Sequence, residues 1–127
     1  MVDISIVIVN YKSWNDLKEC LQSIVSINSN RFTMETIVVD NQSNDGRIEE
    51  FKTLFPSITF IENSGNNGFA NGCNLGASIA KGNYFFFLNP PALGFLTKLL
   101  HKSATSANVS ASHCLSLGIG TLSLPLL

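Results

Sequence analysis

Four short apolar runs, rich in β-branched and aromatic residues, alternate along the chain with segments whose apolar residues recur at helical spacing. The runs are Ile4–Val9, Thr36–Asp40, Ile58–Ile61 and Tyr84–Leu88. Alternation of strands and helices through short connections is typical of a parallel sheet that is covered by helices on both faces. We therefore predict an α/β fold with a parallel, doubly wound, Rossmann-like sheet, in the order β-α-β-α-β-α-β.

The three intervening segments carry helix signals of different kinds. Ser13 and Asp16 resemble a capping box at the start of the first helix, whose apolar positions include Trp14 and Val25. The second helix is predicted over Ile48–Phe55. The third is predicted over 69–81, with small residues that favour close packing on the sheet and a stop at Gly82. Its larger apolar residues are interpreted as helix core: Phe69, Leu75 and Ile79.

Charge and cysteine content exclude several classes of protein. Eight basic and nine acidic residues give a net charge of −1, so the chain has no basic surface for nucleic acid or anionic membrane. Its three cysteines form no C-x-x-C pair, which favours reduced, mostly buried thiols over a disulfide framework or a zinc site. The N-terminus has no basic stretch before its apolar run, and no run reaches the roughly 20 residues of a membrane span. A cytoplasmic protein is expected.

In a doubly wound sheet the ligand lies beyond the carboxyl ends of the strands. The first strand is followed by Asn10-Tyr11-Lys12-Ser13, which lacks the glycines of a dinucleotide-binding turn, and no P-loop is present. Asp40 ends the second strand, and its carboxylate either accepts hydrogen bonds from a ligand or caps a turn. Tyr11 either stacks on a base or lies along the sheet edge with its hydroxyl in water.

Four motifs, in order over residues 2 to about 90, carry a resemblance to a known family. They are Ile6–Tyr11, Ile37–Gly46, Asn66–Gly76 and Phe86–Pro90. Together they resemble the family 2 glycosyltransferases, and among these the bacterial rhamnosyltransferase-like enzymes. The resemblance implies a GT-A fold that transfers a sugar, with inversion, from a UDP- or dTDP-linked donor. The acceptor would be a saccharide or lipid-linked saccharide in cell-surface polysaccharide or O-antigen synthesis.

The resemblance also implies a nucleotide site made of strand ends and loops: Val9, Tyr11, Asp40, Asn67, Gly68 and Asn74. Val9 and Tyr11 would line the base pocket, and Asp40 would bind the uracil or thymine ring. The Asn-Gly-Phe-Ala segment that begins at Asn67, with Asn74 further along, would approach the ribose and diphosphate. Glycine at position 68 suits a backbone that closely approaches a ligand.

One position departs from the family's pattern. The family has Asn-Pro-Asp after the fourth strand, where the Asp binds the Mg²⁺ or Mn²⁺ that bridges the diphosphate, but this chain reads Asn89-Pro90-Pro91. Proline has no side-chain oxygen, and Asn89 offers only a neutral amide as a weak metal ligand. No Asp or Glu follows Glu62, so no later carboxylate can replace the missing one. The metal that the family uses is therefore expected to bind poorly here, and no catalytic base is assigned.

The likeness to the family stops at this point. We predict that residues 1–91 are the nucleotide-sugar-binding half of a glycosyltransferase domain, and that residues 92–127 are a divergent Leu/Ser-rich tail. One hypothesis is a change of reading frame at or just after Pro90, which translation of the other two frames would test. The other is a short variant in which a helix over Leu93–Lys102 covers the sheet edge.

Two other functions remain open at the level of the sequence. The first is a catalytically inactive nucleotide-binding remnant without the metal ligand and the acceptor half. The second is a flavodoxin- or receiver-like domain, which is disfavoured because Asp3 precedes the first strand rather than following it. An incomplete domain leaves a sheet edge and apolar surface uncovered, so self-association is expected. The protein would be cytoplasmic, or peripheral at the inner face of the membrane.

Overall fold

A computed structural model describes residues 1–27 and 30–90 of the chain. These residues form four strands and three helices in the predicted alternating order. The elements are β1 Val2–Asn10, α1 Trp14–Val25, β2 Met34–Asp40, α2 Arg47–Leu54, β3 Thr59–Glu62, α3 Phe69–Ile79 and β4 Gly82–Leu88. The predicted tail, including Pro91 and the Leu93–Lys102 helix, lies outside the described residues.

The four strands form one parallel sheet in the order β3-β2-β1-β4. β1 lies between β2 and β4, and its six residues from Ser5 to Asn10 are all buried. Burial on both faces explains the nearly continuous β-branched run that marks this strand in the sequence. The prediction of a parallel α/β sheet is confirmed.

The side chains of β1 and β2 alternate between two hydrophobic clusters on opposite faces of the sheet. On one face Ile6, Ile8 and Val38 pack with residues of α1 and α2. That cluster includes Trp14 and Phe51, whose ring centroids are 4.9 Å apart. On the other face the cluster contains four strand valines and isoleucines and a cysteine of α3: Val7, Val9, Ile37, Val39 and Cys73. The helices therefore cover both faces, as predicted.

α3 packs on the sheet through glycines rather than through its large apolar residues. A Cβ atom at Gly72 would lie 2.7 Å from Cγ1 of Val9, and one at Gly76 would overlap Cγ1 of Val7. Because the backbone of α3 lies this close to the sheet, larger side chains are turned to its sides. Phe69 and Ile79 are 40% and 42% exposed, so their assignment to the helix core was wrong. Leu75 is partly buried against the strand cluster.

Two predictions about helix ends are also corrected. Ser13 makes no side-chain hydrogen bond to the first turn of α1, because its hydroxyl donates instead to the carbonyl of Tyr11 at 3.2 Å. The capping box is therefore absent, and Val25 at the other end of α1 is 51% exposed. α3 ends at Ile79, and Gly82 begins β4 rather than capping the helix. A Cβ atom at Gly82 would lie 2.6 Å from the backbone nitrogen of Ser5, so the glycine permits close strand pairing.

Cys20 and Cys73 are free and buried, as the sequence predicted for its thiols, while Cys114 lies outside the described residues. Burial raises the pKa of both thiols to about 11, so they are neutral at physiological pH. Across residues 1–27 and 30–90, no helix has the length and apolar character required to cross a membrane.

Candidate functional site

The carboxyl ends of three strands meet at one edge of the sheet. Asn10 at the end of β1 is in register with Asp40 at the end of β2, and Asp40 is in register with Glu62 on β3. The parallel pairing continues past the strand ends, since the amide of Asn41 donates to the carbonyl of Asn10 at 2.8 Å. The loops after β1, β2 and β3 therefore leave the sheet side by side, as the sequence predicted for a ligand site.

Asp40 lies at the centre of this edge and is 3% exposed. Its Oδ1 accepts hydrogen bonds from Nδ2 of Asn10 at 3.0 Å and from Oγ of Ser43 at 2.5 Å. Its Oδ2 accepts a hydrogen bond from the backbone N–H of Ser43 at 3.0 Å. A carboxylate has about four acceptor positions, so one position on Oδ2 is left without a donor from the described residues. Both sequence interpretations of Asp40 thus remain: it caps its own turn and keeps one acceptor position.

Asn10 lies at the candidate site, although the motif that contains it predicted no separate role for it. It is fully buried, and its Oδ1 is the only buried side-chain oxygen or nitrogen in the described part of the chain without a hydrogen-bond partner. Buried polar atoms are nearly always paired, so an unpaired acceptor at a ligand-facing edge is notable. The available signal was an asparagine that ends an otherwise apolar buried strand.

Tyr11 and Val9 are neighbours in sequence with opposite environments. Tyr11 is 47% exposed, and Nζ of Lys12 lies 5.3 Å from the centroid of its ring. The exposed ring fits both sequence interpretations, a ring that stacks on a base and an edge tyrosine with its hydroxyl in water. Val9 is 5% exposed and packs towards Gly72 on the α3 face of the sheet. Its place in a base pocket stays a prediction.

Asn67, Gly68 and Asn74 are all exposed, on the loop before α3 and on α3 itself. Gly68 is the residue before the first turn of the helix and has φ 88° and ψ 172°, a backbone conformation that is essentially restricted to glycine. A Cβ atom there would meet nothing within 4 Å, so the backbone conformation rather than crowding requires glycine. The contacts of these residues with a ribose or diphosphate stay a prediction.

A chain of asparagines joins the loops after β2 and β3 to the start of α3. Nδ2 of Asn41 donates to the carbonyl of Gly68 at 3.1 Å. Nδ2 of Asn63 donates to Oδ1 of Asn41 at 2.9 Å and to Oδ1 of Asn71 at 2.8 Å. In the sequence these residues indicate only turns, because a hydrogen bond between side chains 22 residues apart, such as that of Asn63 with Asn41, produces no periodic pattern.

The loop after β2 is also tied to the first helix. Nε1 of Trp14 donates to Oδ2 of Asp45 at 2.7 Å, and the backbone N–H of Arg47 donates to Oδ1 at 3.2 Å. Some loss of solvent acts to raise the pKa of Asp45, but these hydrogen bonds hold it below its ordinary value. Arg47 in turn lies over the ring of Trp14, with its guanidinium carbon 5.8 Å from the ring centroid.

The donor atoms after β4 do not suit a hard divalent cation. Asn89 is exposed and carries a neutral amide, and the next two residues are prolines. Within residues 1–27 and 30–90, no group of three or more His, Cys, Asp or Glu side chains is placed to hold a metal. Mg²⁺ and Mn²⁺ are bound in proteins through carboxylates, so we derive no step of a reaction through a metal at this place.

Known proteins share this fold. The model of glycosyl transferase family 2 matches residues 5–90, and this chain belongs to that family. It is 33% identical over 86 residues to an uncharacterized glycosyltransferase of Haemophilus influenzae, covering 68% of this chain and 28% of that protein.

Two solved structures show the same fold at low sequence identity. The mannosyltransferase PcManGT from Pyrobaculum calidifontis, in complex with GDP-Man and Mn²⁺, has a TM-score of 0.62 and 22% identity. That match covers 74% of this chain and 30% of the other. S. aureus TarS in complex with UDP has a TM-score of 0.63 and 17% identity, over 80% of this chain and 32% of the other. In each of these three matches, the chain spans less than a third of the other chain's length.

Proposed function

We propose that residues 1–90 form a site for the nucleotide of a nucleotide-diphosphate sugar, and that the chain acts in sugar transfer to a saccharide or lipid-linked saccharide. The observation that carries the proposal is the remaining acceptor position of Asp40, together with the exposed ring of Tyr11, the residue that follows the strand partner of Asp40. An acceptor beside a stacking surface suits a base that presents an N–H donor and an aromatic face. Uracil and thymine each present a single N–H donor, whereas guanine presents a ring N–H beside an amino group, so the single remaining acceptor position favours UDP or dTDP.

Family membership and two neighbours with bound nucleotides support this proposal. One neighbour holds GDP-Man and the other holds UDP, so the likeness of fold leaves the choice of base to the side chains of this chain. The transfer would form a bond between the acceptor hydroxyl oxygen and the anomeric carbon, with inversion, as the nucleoside diphosphate leaves with the electron pair of the broken bond; the hydroxyl proton would pass to a base to which no residue is assigned. The rhamnosyltransferase-like specificity, the use in cell-surface polysaccharide or O-antigen synthesis and the location at the inner membrane face are parts of the same proposal.

A second candidate is a nucleotide-binding module without turnover. The observation in its favour is the donor set after β4, where a neutral amide and prolines stand in place of a carboxylate. The two candidates differ in metal dependence, because a metal that bridges the diphosphate would strengthen nucleotide binding.

Isothermal titration of the full chain with UDP and dTDP, with and without Mn²⁺, tests both. We expect binding of at least one of the two nucleotides in the absence of metal. A large gain in affinity with Mn²⁺ would favour the enzyme, and no gain would favour the module. If neither nucleotide binds under any condition, the nucleotide site itself is wrong. Tyr11→Ala is the matched variant, since loss of a stacking ring should weaken binding by about tenfold while the buried core is untouched.

A further inference from the structure

Ser43 joins the first two loops of the candidate site through one hydroxyl group. It is 4% exposed, and its Oγ donates to Oδ1 of Asp40 at 2.5 Å. The same Oγ accepts a hydrogen bond from the backbone N–H of Lys12 at 2.9 Å. A hydroxyl has one proton and two lone pairs, so it can serve both partners at once. The loop after β1 and the carboxylate at the end of β2 are therefore fixed to each other through a single atom.

The backbone around this atom is strained on both sides. The non-glycine residues with positive φ in the described part of the chain are Lys12, Gln42 and Asn44, with φ of 54°, 58° and 53°. Gln42 and Asn44 flank Ser43, and Lys12 is its hydrogen-bond partner. Such conformations persist where the surrounding contacts hold them, and they are concentrated at functional sites. Asn tolerates this region better than Gln or Lys, so two of the three positions depend on the contacts around them.

We propose that Ser43 is a positioning residue of the nucleotide site, which sets both affinity and base selectivity through Asp40 and the Tyr11–Lys12 loop. The inference rests on the nucleotide site proposed above. Ser43 occupies one acceptor position on each oxygen of Asp40, through its hydroxyl and its backbone N–H. With Asn10 on Oδ1, these contacts fix the plane of the carboxylate and leave one acceptor position, on Oδ2.

A carboxylate fixed in this way discriminates between pyrimidines. Uracil presents a donor at its ring N3, whereas cytosine presents an acceptor there and a donor on its exocyclic amino group. Without the hydroxyl, Oδ1 regains an acceptor position, and the carboxylate is held by two hydrogen bonds instead of three, which lets it turn more easily towards the amino group of cytosine. At the same time the N–H of Lys12 loses its partner, which loosens the loop that carries Tyr11.

The test is titration calorimetry of the full chain with UDP and CDP, or with dTDP and dCDP if only the deoxy form binds. We expect Ser43→Ala to weaken UDP binding by about tenfold and to bring the UDP-to-CDP affinity ratio towards one. Ser43→Thr retains the hydroxyl and should hold the ratio closer to that of the wild type. Ser26→Ala is the matched control, because Ser26 also donates a hydrogen bond, to the carbonyl of Ser23 at 2.6 Å, but lies at the far end of α1.

The outcomes separate this inference from the function on which it rests. A wild type that binds neither nucleotide overturns the site and the role of Ser43 together. A wild type that binds UDP, with an unchanged affinity ratio in Ser43→Ala, overturns the role of Ser43 alone, even if the melting temperature falls. If Ser43→Ala does not fold, Ser43→Cys carries the test, since a thiol is a weak donor of similar shape. The ratio must then fall in Ser43→Cys, and an unchanged ratio overturns the proposal.

Discussion

At the scale of single residues, Gly68 and Gly46 form a natural pair for separating backbone strain from ligand contact. Both have positive φ, 88° and 74°, both precede the first turn of a helix, and neither would crowd an added Cβ. Gly68 also offers its carbonyl to Asn41 within the candidate site. The two positions thus share a backbone requirement, while only Gly68 lies beside residues proposed to bind the diphosphate.

We therefore expect Gly68→Ala and Gly46→Ala each to lower the free energy of unfolding by about 1–3 kcal/mol, because alanine must adopt a conformation that glycine tolerates. Only Gly68→Ala should also weaken UDP binding. Urea denaturation gives the first quantity and titration calorimetry the second. Equal loss of nucleotide affinity in both variants would mean that the effect on binding comes from general destabilisation, and that Gly68 has no place in the site.

At the scale of elements, the sequence predicted the strands better than the surfaces of the helices. A buried parallel strand is marked by its own side chains, so β1 and β2 could be read directly from their β-branched runs. The orientation of α3 could not be predicted in this way. Its residues that lie against the sheet, Gly72 and Gly76, have no apolar side chain to mark them in the sequence. A pattern that counts apolar residues therefore assigned Phe69 to the core, although it is 40% exposed.

The candidate site likewise has residues that the sequence predicted and residues that it did not. Strand-end residues such as Asp40 could be predicted, since the topology alone places them at one edge. The roles of Asn10 and Ser43 could not be predicted, because both depend on a hydrogen bond to Asp40. Asp40 is 30 residues from Asn10 and three residues from Ser43. Hydrogen-bond geometry of this kind becomes visible only once the loops are folded.

The close packing of α3 gives a prediction at the same scale. Alanine favours a helix over glycine by about 0.8–1.0 kcal/mol, but a Cβ at position 76 would overlap Val7. Overpacking in a dense core costs about 1–3 kcal/mol, so we expect Gly76→Ala to be destabilising in urea denaturation despite its better helix propensity. Ser78→Ala, at an exposed position of the same helix, should be close to neutral. A Gly76→Ala chain more stable than the wild type would show that α3 stands further from the sheet.

At the scale of the whole molecule, the two edge strands of the described sheet differ in length, with four residues in β3 and seven in β4. β4 pairs with β1 on one side, and in residues 1–27 and 30–90 no strand pairs with its other side. The strand is seven residues long and includes Tyr84, which is 68% exposed. Within the described part of the chain this edge is unpaired, and an unpaired edge of this length is a template for pairing with another chain. It is the structural basis on which the proposed self-association of this chain can be tested.

We expect sedimentation velocity to show a mass that rises with protein concentration. Tyr84→Lys should shift the distribution towards the monomer, because a charge on an edge strand opposes pairing with a second edge. Leu54→Lys is the matched control, since Leu54 is 47% exposed but lies on α2, away from β4. A wild type that sediments as a clean monomer at all concentrations contradicts self-association. If both variants shift towards the monomer to the same extent, self-association depends on exposed apolar surface in general rather than on the β4 edge.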